Sequence, residues 1–145
     1  MAKVKNKKVL SKKEKAVKKK IKTRRKKSFE KISKGKVFIQ SSFNNTIMTL
    51  TDDNGNTLDW VSAGSLGFKG TKKSTPYTAT LIGKAMADKI SKRGISDIRV
   101  FVSGVGQGRD AATRALISTG VNIATISDIT PIPHNGCRPK KPRRV

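Results

Sequence analysis

The sequence predicts one α/β domain, a five-stranded mixed sheet in β-β-β-α-β-α-β order with helices packed on it, and a basic extension at each end. Three observations lead to this prediction: the 145-residue length, the hydrophobic periodicity of the middle, and the concentration of positive charge at the ends. The predicted boundaries are residues 1–35 for the N-terminal extension, residues 36–133 for the folded domain and residues 134–145 for the C-terminal tail.

The charge is distributed unevenly along the chain. Lys and Arg number 33 against 9 Asp and Glu, for a formal net charge of +24. Residues 1–36 hold 18 basic and 2 acidic residues, residues 37–137 hold 10 and 7, and residues 138–145 hold 5 and none. A nearly neutral body with two cationic ends indicates a polyanionic partner. The N-terminal extension has few apolar side chains, so we expect it to be disordered until it contacts phosphates.

The first three strands are predicted from short runs of apolar and β-branched residues. These runs are residues 37–39, residues 47–51 and residues 57–62, the last of which alternates with a period of two. Between the second and the third, Asn54-Gly55 favours the positive φ angles of a type I′ hairpin turn. The three strands are therefore predicted to form an antiparallel meander.

A helix is predicted to follow Ser74 or Thr75, either of which can cap it, with Pro76 in its first turn and Gly94 just past its end. One set of its residues should face the sheet and another should face outward: Ala79, Ile82, Met86 and Ile90 in the first, Lys84, Lys92 and Arg93 in the second. A fourth strand (98–102), a short Ala-rich helix (110–119) and a last strand (124–129) should then form a right-handed parallel crossover.

Several protein classes are excluded or disfavoured. The single Cys137 excludes an intramolecular disulfide, no apolar run approaches the ~20 residues that span a membrane, and the first residues lack the core of a secretory signal. We therefore expect no membrane partner and a cytoplasmic location, with a plastid origin left open. His134 and Cys137 are too few for an intrachain zinc site, which needs three or four ligands, and no catalytic triad is visible. No cofactor or metal is expected.

The glycine-rich turn at residues 104–109 lies between a strand and a helix, where dinucleotide folds bind pyrophosphate. Its spacing is G-x-G-x-G instead of G-x-G-x-x-G, and too few strands follow for a complete dinucleotide site, although Asp128 mimics the ribose-binding acid. A loop that lets backbone amides and Arg109 approach an RNA phosphate fits better. The plain alternative is a tight turn without a ligand.

Three further segments carry groups that recognise RNA. The loop at residues 67–76 has three lysines and several hydroxyls before a helix N-terminus, as phosphate recognition requires, and its plain alternative is a solvated loop. The turn at residues 41–46 offers Ser and Asn side chains, which bind sugars and base edges but also simply favour turns. The tail at residues 138–144 is cationic and held extended by prolines, with an inert solubilising tail as its alternative. Asn135-Gly136 predicts cyclisation of Asn135, which gives deamidation or an isoaspartyl link. A peptide map without mass gain at Asn135, together with normal Edman sequencing through it, would contradict this prediction.

Taken together, these motifs resemble the family of the eleventh protein of the small ribosomal subunit, in its bacterial or plastid branch. The resemblance covers about residues 30–145 and rests on six segments: residues 42–46, 62–64, 67–77, 104–109, 130–138 and 140–145. The run Pro133-His134-Asn135-Gly136-Cys137-Arg138 is its most specific part. The lysine-rich start is longer and more basic than the family leads us to expect.

The resemblance implies a structural role on the platform of the small subunit, where the family bridges helices of the small-subunit rRNA and lines the cleft for the Shine-Dalgarno duplex, near the mRNA. It implies the seventh and eighteenth small-subunit proteins and initiation factor three as partners. It also implies a set of rRNA-binding residues: Asn44, Asn45, Lys69, Lys72, Lys73, Gly106, Gln107, Arg109, His134, Asn135, Arg138, Lys140, Lys141, Arg143 and Arg144. The rival hypotheses are a free nucleic-acid-binding module and a small nucleotide-binding enzyme.

Overall fold

The computed structural model describes residues 32–141 and contains one five-stranded sheet with two helices. The strands are β1 (Lys34–Ser41), β2 (Thr46–Asp52), β3 (Thr57–Ser62), β4 (Asp97–Ser103) and β5 (Asn122–Asp128), and the helices are α1 (Pro76–Arg93) and α2 (Gly108–Ser118). The predicted fold class and element order are confirmed. Most of the N-terminal extension, together with Arg143 and Arg144, lies outside the described residues. Within the described range, no helix combines the length and apolarity needed to cross a membrane.

The strand order across the sheet is β3-β2-β1-β4-β5. The pairs β1–β2 and β2–β3 are antiparallel, which confirms the meander, and β4–β5 is parallel, as predicted for the last β-α-β unit. The sequence did not predict that β1 pairs in parallel with β4. This pairing puts β1 at the centre of the sheet. Strand β1 begins at Lys34, two residues before the predicted start of the folded domain at residue 36.

The hairpin between β2 and β3 differs from the predicted type I′ turn. The Gly55 N–H donates to Asp52 O at 3.0 Å, so Asp53 and Asn54 are the central residues of the turn. A type I′ turn needs positive φ at both central positions. Here Gly55 has a φ of 89°, whereas Asn54 is not among the described residues with positive φ. The loop is therefore one residue longer, with Gly55 in the left-handed position that follows the turn.

Both helices pack on one face of the sheet and bury the core there. Strands β1, β2 and β4 contribute the sheet side of this core: Val37, Ile39, Met48, Leu50, Ile98, Val100 and Val102. The predicted inner face of α1 is confirmed, because Ala79, Ile82, Met86 and Ile90 are all buried. Helix α2 packs tightly against α1, since a Cβ added at Gly83 would lie 2.6 Å from the Cβ of Ala115.

The prediction that Arg93 faces outward is wrong. Its guanidinium donates to the Leu58 carbonyl at 2.5 Å and pairs with Asp59 at 3.3 Å, while Lys89 Nζ lies 2.5 Å from the same carboxylate. Partial burial raises the pKa of Asp59, but the hydrogen bonds from Lys89 and Arg93 outweigh it and leave that pKa below its ordinary value. These side chains tie the C-terminal half of α1 to β3.

The two ends of the sheet differ in what they carry. At one end, here called the loop end, β1, β4 and β5 finish and β2 begins. At the other, the hairpin end, lie the β2–β3 hairpin and the start of β1. Both helices begin at the loop end, because each follows a segment that leaves the sheet there.

Candidate nucleic-acid interface

Four segments that the sequence marks for RNA binding begin or lie at the loop end. The turn at residues 42–45 joins β1 to β2, and residues 104–109 join β4 to α2. Residues 69–73 lead into α1, and the C-terminal segment leaves β5 after Asp128. They share this end because strands that run in the same direction finish at the same edge of a sheet, and helix N-termini there add partial positive charge.

The glycine-rich turn and the β1–β2 turn are in direct contact. The Gly106 N–H donates to Ser41 O at 3.0 Å. A Cβ at Gly106 would lie 2.5 Å from the Ser41 hydroxyl oxygen, and Cβ atoms at Gly104 and Gly108 would overlap Ser41 and Thr46 in the same way. The glycines therefore permit two backbones to pack against each other. The Gly106 N–H donates to Ser41 within the fold, so it is not available to an RNA phosphate. RNA contact by other atoms of Gly106 stays a prediction.

The β1–β2 turn is held by its own hydrogen bonds. Ser42 Oγ accepts from the Asn45 N–H at 3.1 Å, and the Ser42 N–H donates to Asn45 O at 2.9 Å. Asn44 is exposed and Asn45 is half-buried. Within residues 32–141, Asn45 Oδ1 is the one buried side-chain oxygen or nitrogen without a hydrogen-bond partner. Asn44 is thus the better presented of the two asparagines.

The lysine-bearing loop is more ordered than the flexible turn that the sequence suggested. Residues Gly70–Ser74 form a 3-10 turn. The carbonyl of Lys72 accepts from the hydroxyls of Thr75 and the buried Thr78, at 3.0 and 2.8 Å. Lys69 and Lys72 are exposed and Lys73 is half-buried. The loop backbone is therefore fixed to the first turn of α1, while the ammonium groups extend from it.

Arg109 is engaged within the fold. Its Nη1 donates to Gly104 O at 2.7 Å, and its Nη2 pairs with the carboxylate of Asp128. Thr130 completes the cluster, because its hydroxyl donates to Asp128 at 2.6 Å and accepts from the Gly104 N–H at 3.2 Å. The acid that the sequence compared with a ribose ligand is thus the partner of Arg109. The predicted role of Arg109 in RNA binding remains a prediction, and the structure adds a positioning role.

The hydrogen bonds from Thr130 and Arg109 lower the pKa of Asp128 well below its ordinary value of 3.8. A depressed carboxyl pKa contributes stability that is fully present above the unfolded pKa and is lost progressively as pH falls from there toward the folded pKa. We expect Asp128→Asn to lower the Tm at pH 7. The difference in Tm between this variant and wild type should shrink as pH falls below 3.8. Thermal melts from pH 7 to pH 3 measure this. Asp88→Asn, an exposed change of equal charge on α1, is the control, and a gap that stays constant over the whole range would contradict the assignment.

The C-terminal segment after β5 is exposed and has no regular secondary structure up to residue 141. His134, Asn135, Arg138, Lys140 and Lys141 are all exposed there. Asn135 has a φ of 58°, in the left-handed region that Asn tolerates better than most residues. The predicted RNA contacts of these residues and of the exposed Gln107 remain predictions.

Exposed apolar side chains at the loop end were missed by the sequence analysis. Phe43 is 75% exposed, Tyr77 68% and Val105 62%. Phe43 and Val105 line a groove of about 290 Å³ between the β1–β2 turn, the glycine-rich turn and Pro131. Aromatic rings beside cationic groups can stack on unpaired bases. The sequence does carry a signal for Phe43, since it is the single aromatic residue in the otherwise polar turn at residues 41–46.

A match to a known protein family spans all four segments at the loop end, up to residue 144. Residues 35–144 match the family described as Ribosomal protein S11. The chain is 52% identical over 127 residues to small ribosomal subunit protein uS11 of Borreliella burgdorferi (strain ZS7), and equally to that of Borreliella afzelii (strain PKo); each match covers 87% of this chain and 98% of the relative. Identity to the protein of the same name in Treponema pallidum (strain Nichols) is 49% over 123 residues, covering 85% and 98%.

Proposed function

Because this chain belongs to the ribosomal protein S11 family, we propose that its loop end holds separate helices of the small-subunit rRNA together on the platform of the small subunit. Membership of the family establishes the general function. The chain is a structural constituent of the small ribosomal subunit, binds rRNA beside other ribosomal proteins, and is not an enzyme. The ribosome is its location, and we propose the cytoplasm as the compartment.

The observation that carries the proposal is the location, at one end of the sheet, of four segments that are predicted to bind RNA. Residues 42–45 and 104–109 are joined backbone to backbone through Gly106 and Ser41. The loop at residues 69–73 is fixed to α1 by Thr78. Rigidly joined segments can contact different RNA helices at a set distance, which a flexible cationic chain cannot do. Phosphate contacts position a protein, whereas side chains such as Asn44 and Phe43 can distinguish particular nucleotides.

We further propose that this end lines the cleft for the Shine-Dalgarno duplex, close to the mRNA, and that the seventh and eighteenth small-subunit proteins and initiation factor three are neighbours. These assignments follow from the family resemblance. They are consistent with an end that offers cationic groups, which suit phosphate contacts, and exposed apolar side chains, which suit both unpaired bases and protein surfaces.

Chemical footprinting of small-subunit rRNA with and without the protein tests the bridging function. We expect protection in at least two separate rRNA helices. Protection confined to one helix would contradict bridging. A protein that fails to sediment with small subunits in high-salt gradients would instead favour a free nucleic-acid-binding module.

The N-terminal extension is expected to add affinity without selecting the site. Deleting residues 1–27 removes 15 Lys and Arg but no residue of the four segments. We expect weaker rRNA binding and a flatter salt dependence, because each bound phosphate releases counterions. The log–log slope should fall by about 0.7–0.9 for each phosphate that the shortened chain no longer binds. Filter binding across a salt series measures the slope, and footprinting measures the site. A deletion that moved the footprint would contradict this separation.

A further inference from the structure

One part of the folded domain is unlike the rest of this basic protein. Residues 115–128 contain neither Lys nor Arg and a single acidic residue, Asp128, in a chain with a net charge of +24. This segment includes the last turn of α2 and all of β5. Phosphate binding depends on cations, so a surface built from these residues is poorly suited to RNA.

The same segment forms an exposed apolar groove at the edge of the sheet. Strand β5 is the last in the sheet order and pairs with β4 on one side. Ile117 is 55% exposed and Ile126 is 50% exposed. Together with Val121, Ile123, Ala124 and Thr125 they line a groove of about 400 Å³. An exposed apolar edge of this kind usually marks an interaction surface.

The opposite edge of the sheet shows how this fold protects a strand that has no neighbour. On β3, the carbonyl oxygens of Leu58 and Trp60 accept hydrogen bonds from Arg93 and Lys89. The Trp60 N–H donates to the Asp59 carboxylate, and the Ser62 N–H donates to the hydroxyl of Ser65. Side chains therefore occupy backbone groups that a further strand would need.

Strand β5 lacks this protection. In residues 32–141, none of the hydrogen bonds found joins a side chain to a backbone group of Asn122–Asp128. A bulge at Ala124 interrupts the pairing with β4 early in the strand, but residues 125–128 pair regularly with β4. The strand also carries no Lys or Pro, the residues that commonly block an edge. Its outer backbone groups are thus available over residues 125–128.

We propose that the outer edge of β5, with Ile117 and Ile126, binds an extended, uncharged and largely apolar segment of a neighbouring small-subunit protein, which adds a sixth strand to the sheet. The main-chain groups of β5 supply hydrogen bonds, and the groove receives alternate side chains of the added strand. The absence of cations selects a protein segment over RNA. This inference rests on the proposed function in one respect, that the neighbour is part of the small subunit.

Ile126→Lys tests the proposal, because a lysine there blocks strand addition but would strengthen attraction to RNA. Thr57→Lys, the same added charge on the exposed start of β3, is the matched control. We expect both variants of the full chain to bind purified rRNA at least as tightly as wild type. In reconstituted subunits sedimented through high salt, we expect retention of Ile126→Lys to fall by about tenfold and that of Thr57→Lys to stay unchanged. Equal retention of the two variants would overturn the proposal.

Photo-crosslinking from two positions separates this inference from the proposed function. With p-benzoylphenylalanine in place of Ile126, reconstituted subunits should give an adduct with a defined ribosomal protein, mapped to an uncharged segment by mass spectrometry. An adduct with rRNA, an adduct between two copies of this chain, or no adduct would overturn the proposal. The same probe in place of Val105 should give an rRNA adduct, and its failure would count against the proposed function alone.

Discussion

Gly104→Ala is expected to lower the free energy of unfolding by about 3 kcal/mol, the largest effect of any single methyl addition at the loop end. Gly104 has a φ of 97°, which L-residues rarely adopt. Its added Cβ would also overlap the carbonyl oxygen of Ser41. Relieving that overlap requires separating the glycine-rich turn from β1, which breaks the hydrogen bond between Gly106 and Ser41. Urea denaturation followed by circular dichroism measures the decrease.

Gly120→Ala separates the two causes of that decrease. Gly120 also has a positive φ, 77°, but a Cβ there would have no atom within 4 Å. We expect this variant to be destabilised by only about 1 kcal/mol, from the backbone conformation alone. If both variants were destabilised equally, the close approach of the glycine-rich turn to Ser41 would not contribute to stability, and the rigid joining of the two turns would have to be abandoned.

The largest effect on RNA binding is expected from Lys69→Ala combined with Lys72→Ala. Both side chains are exposed, and the Lys72 carbonyl keeps its hydrogen bonds from Thr75 and Thr78 in the variant, so the loop should retain its shape. We expect affinity for small-subunit rRNA to fall by about tenfold or more, and the log–log salt slope by about 1.4–1.8, as when two fewer phosphates are bound. Arg109 is left unchanged because its bonds to Gly104 and Asp128 would confound the result.

The control for this pair is Lys84→Ala combined with Lys92→Ala. These lysines are also exposed, lie on the outer face of α1 beyond its first turn, and remove the same charge. We expect only the weak, non-specific decrease in affinity that follows from lower net charge, and an unchanged footprint. Equal decreases from the two pairs would mean that the lysine loop acts through net charge and not through its position.

The local elements were predictable because their signals lie close together in the chain. Thr75, Pro76 and Gly94 mark both ends of α1, and Thr75 and Gly94 occupy its caps as expected. The hairpin was predicted, but its turn type was wrong, since Asn-Gly is compatible with more than one loop length. Helical periodicity places Arg93 on the outer face of α1, because it carries no information about Asp59 and the Leu58 carbonyl, which β3 presents to this side chain.

The candidate site was predictable in its segments but not in its assembly. The cations, hydroxyls and glycines of residues 69–73 and 104–109 predict contact with RNA, and both segments lie at the loop end. Exposure of Phe43 and the binding of Arg109 by Asp128 and Thr130 could not be read from spacing. Each depends on which loops meet, and that follows from the parallel pairing of β1 with β4 and of β4 with β5.

The sequence by itself determined the basic character of the protein, its element order, the segments with RNA-binding chemistry and the resemblance to its family. These properties depend on residue types and on spacings of a few residues. Only the tertiary structure decided that four such segments share one end of the sheet, that Gly104 and Gly106 join two of them, and that β5 is left as an uncharged open edge. Those properties arise from pairings between residues far apart in the chain, where periodicity carries no information about which partner is chosen.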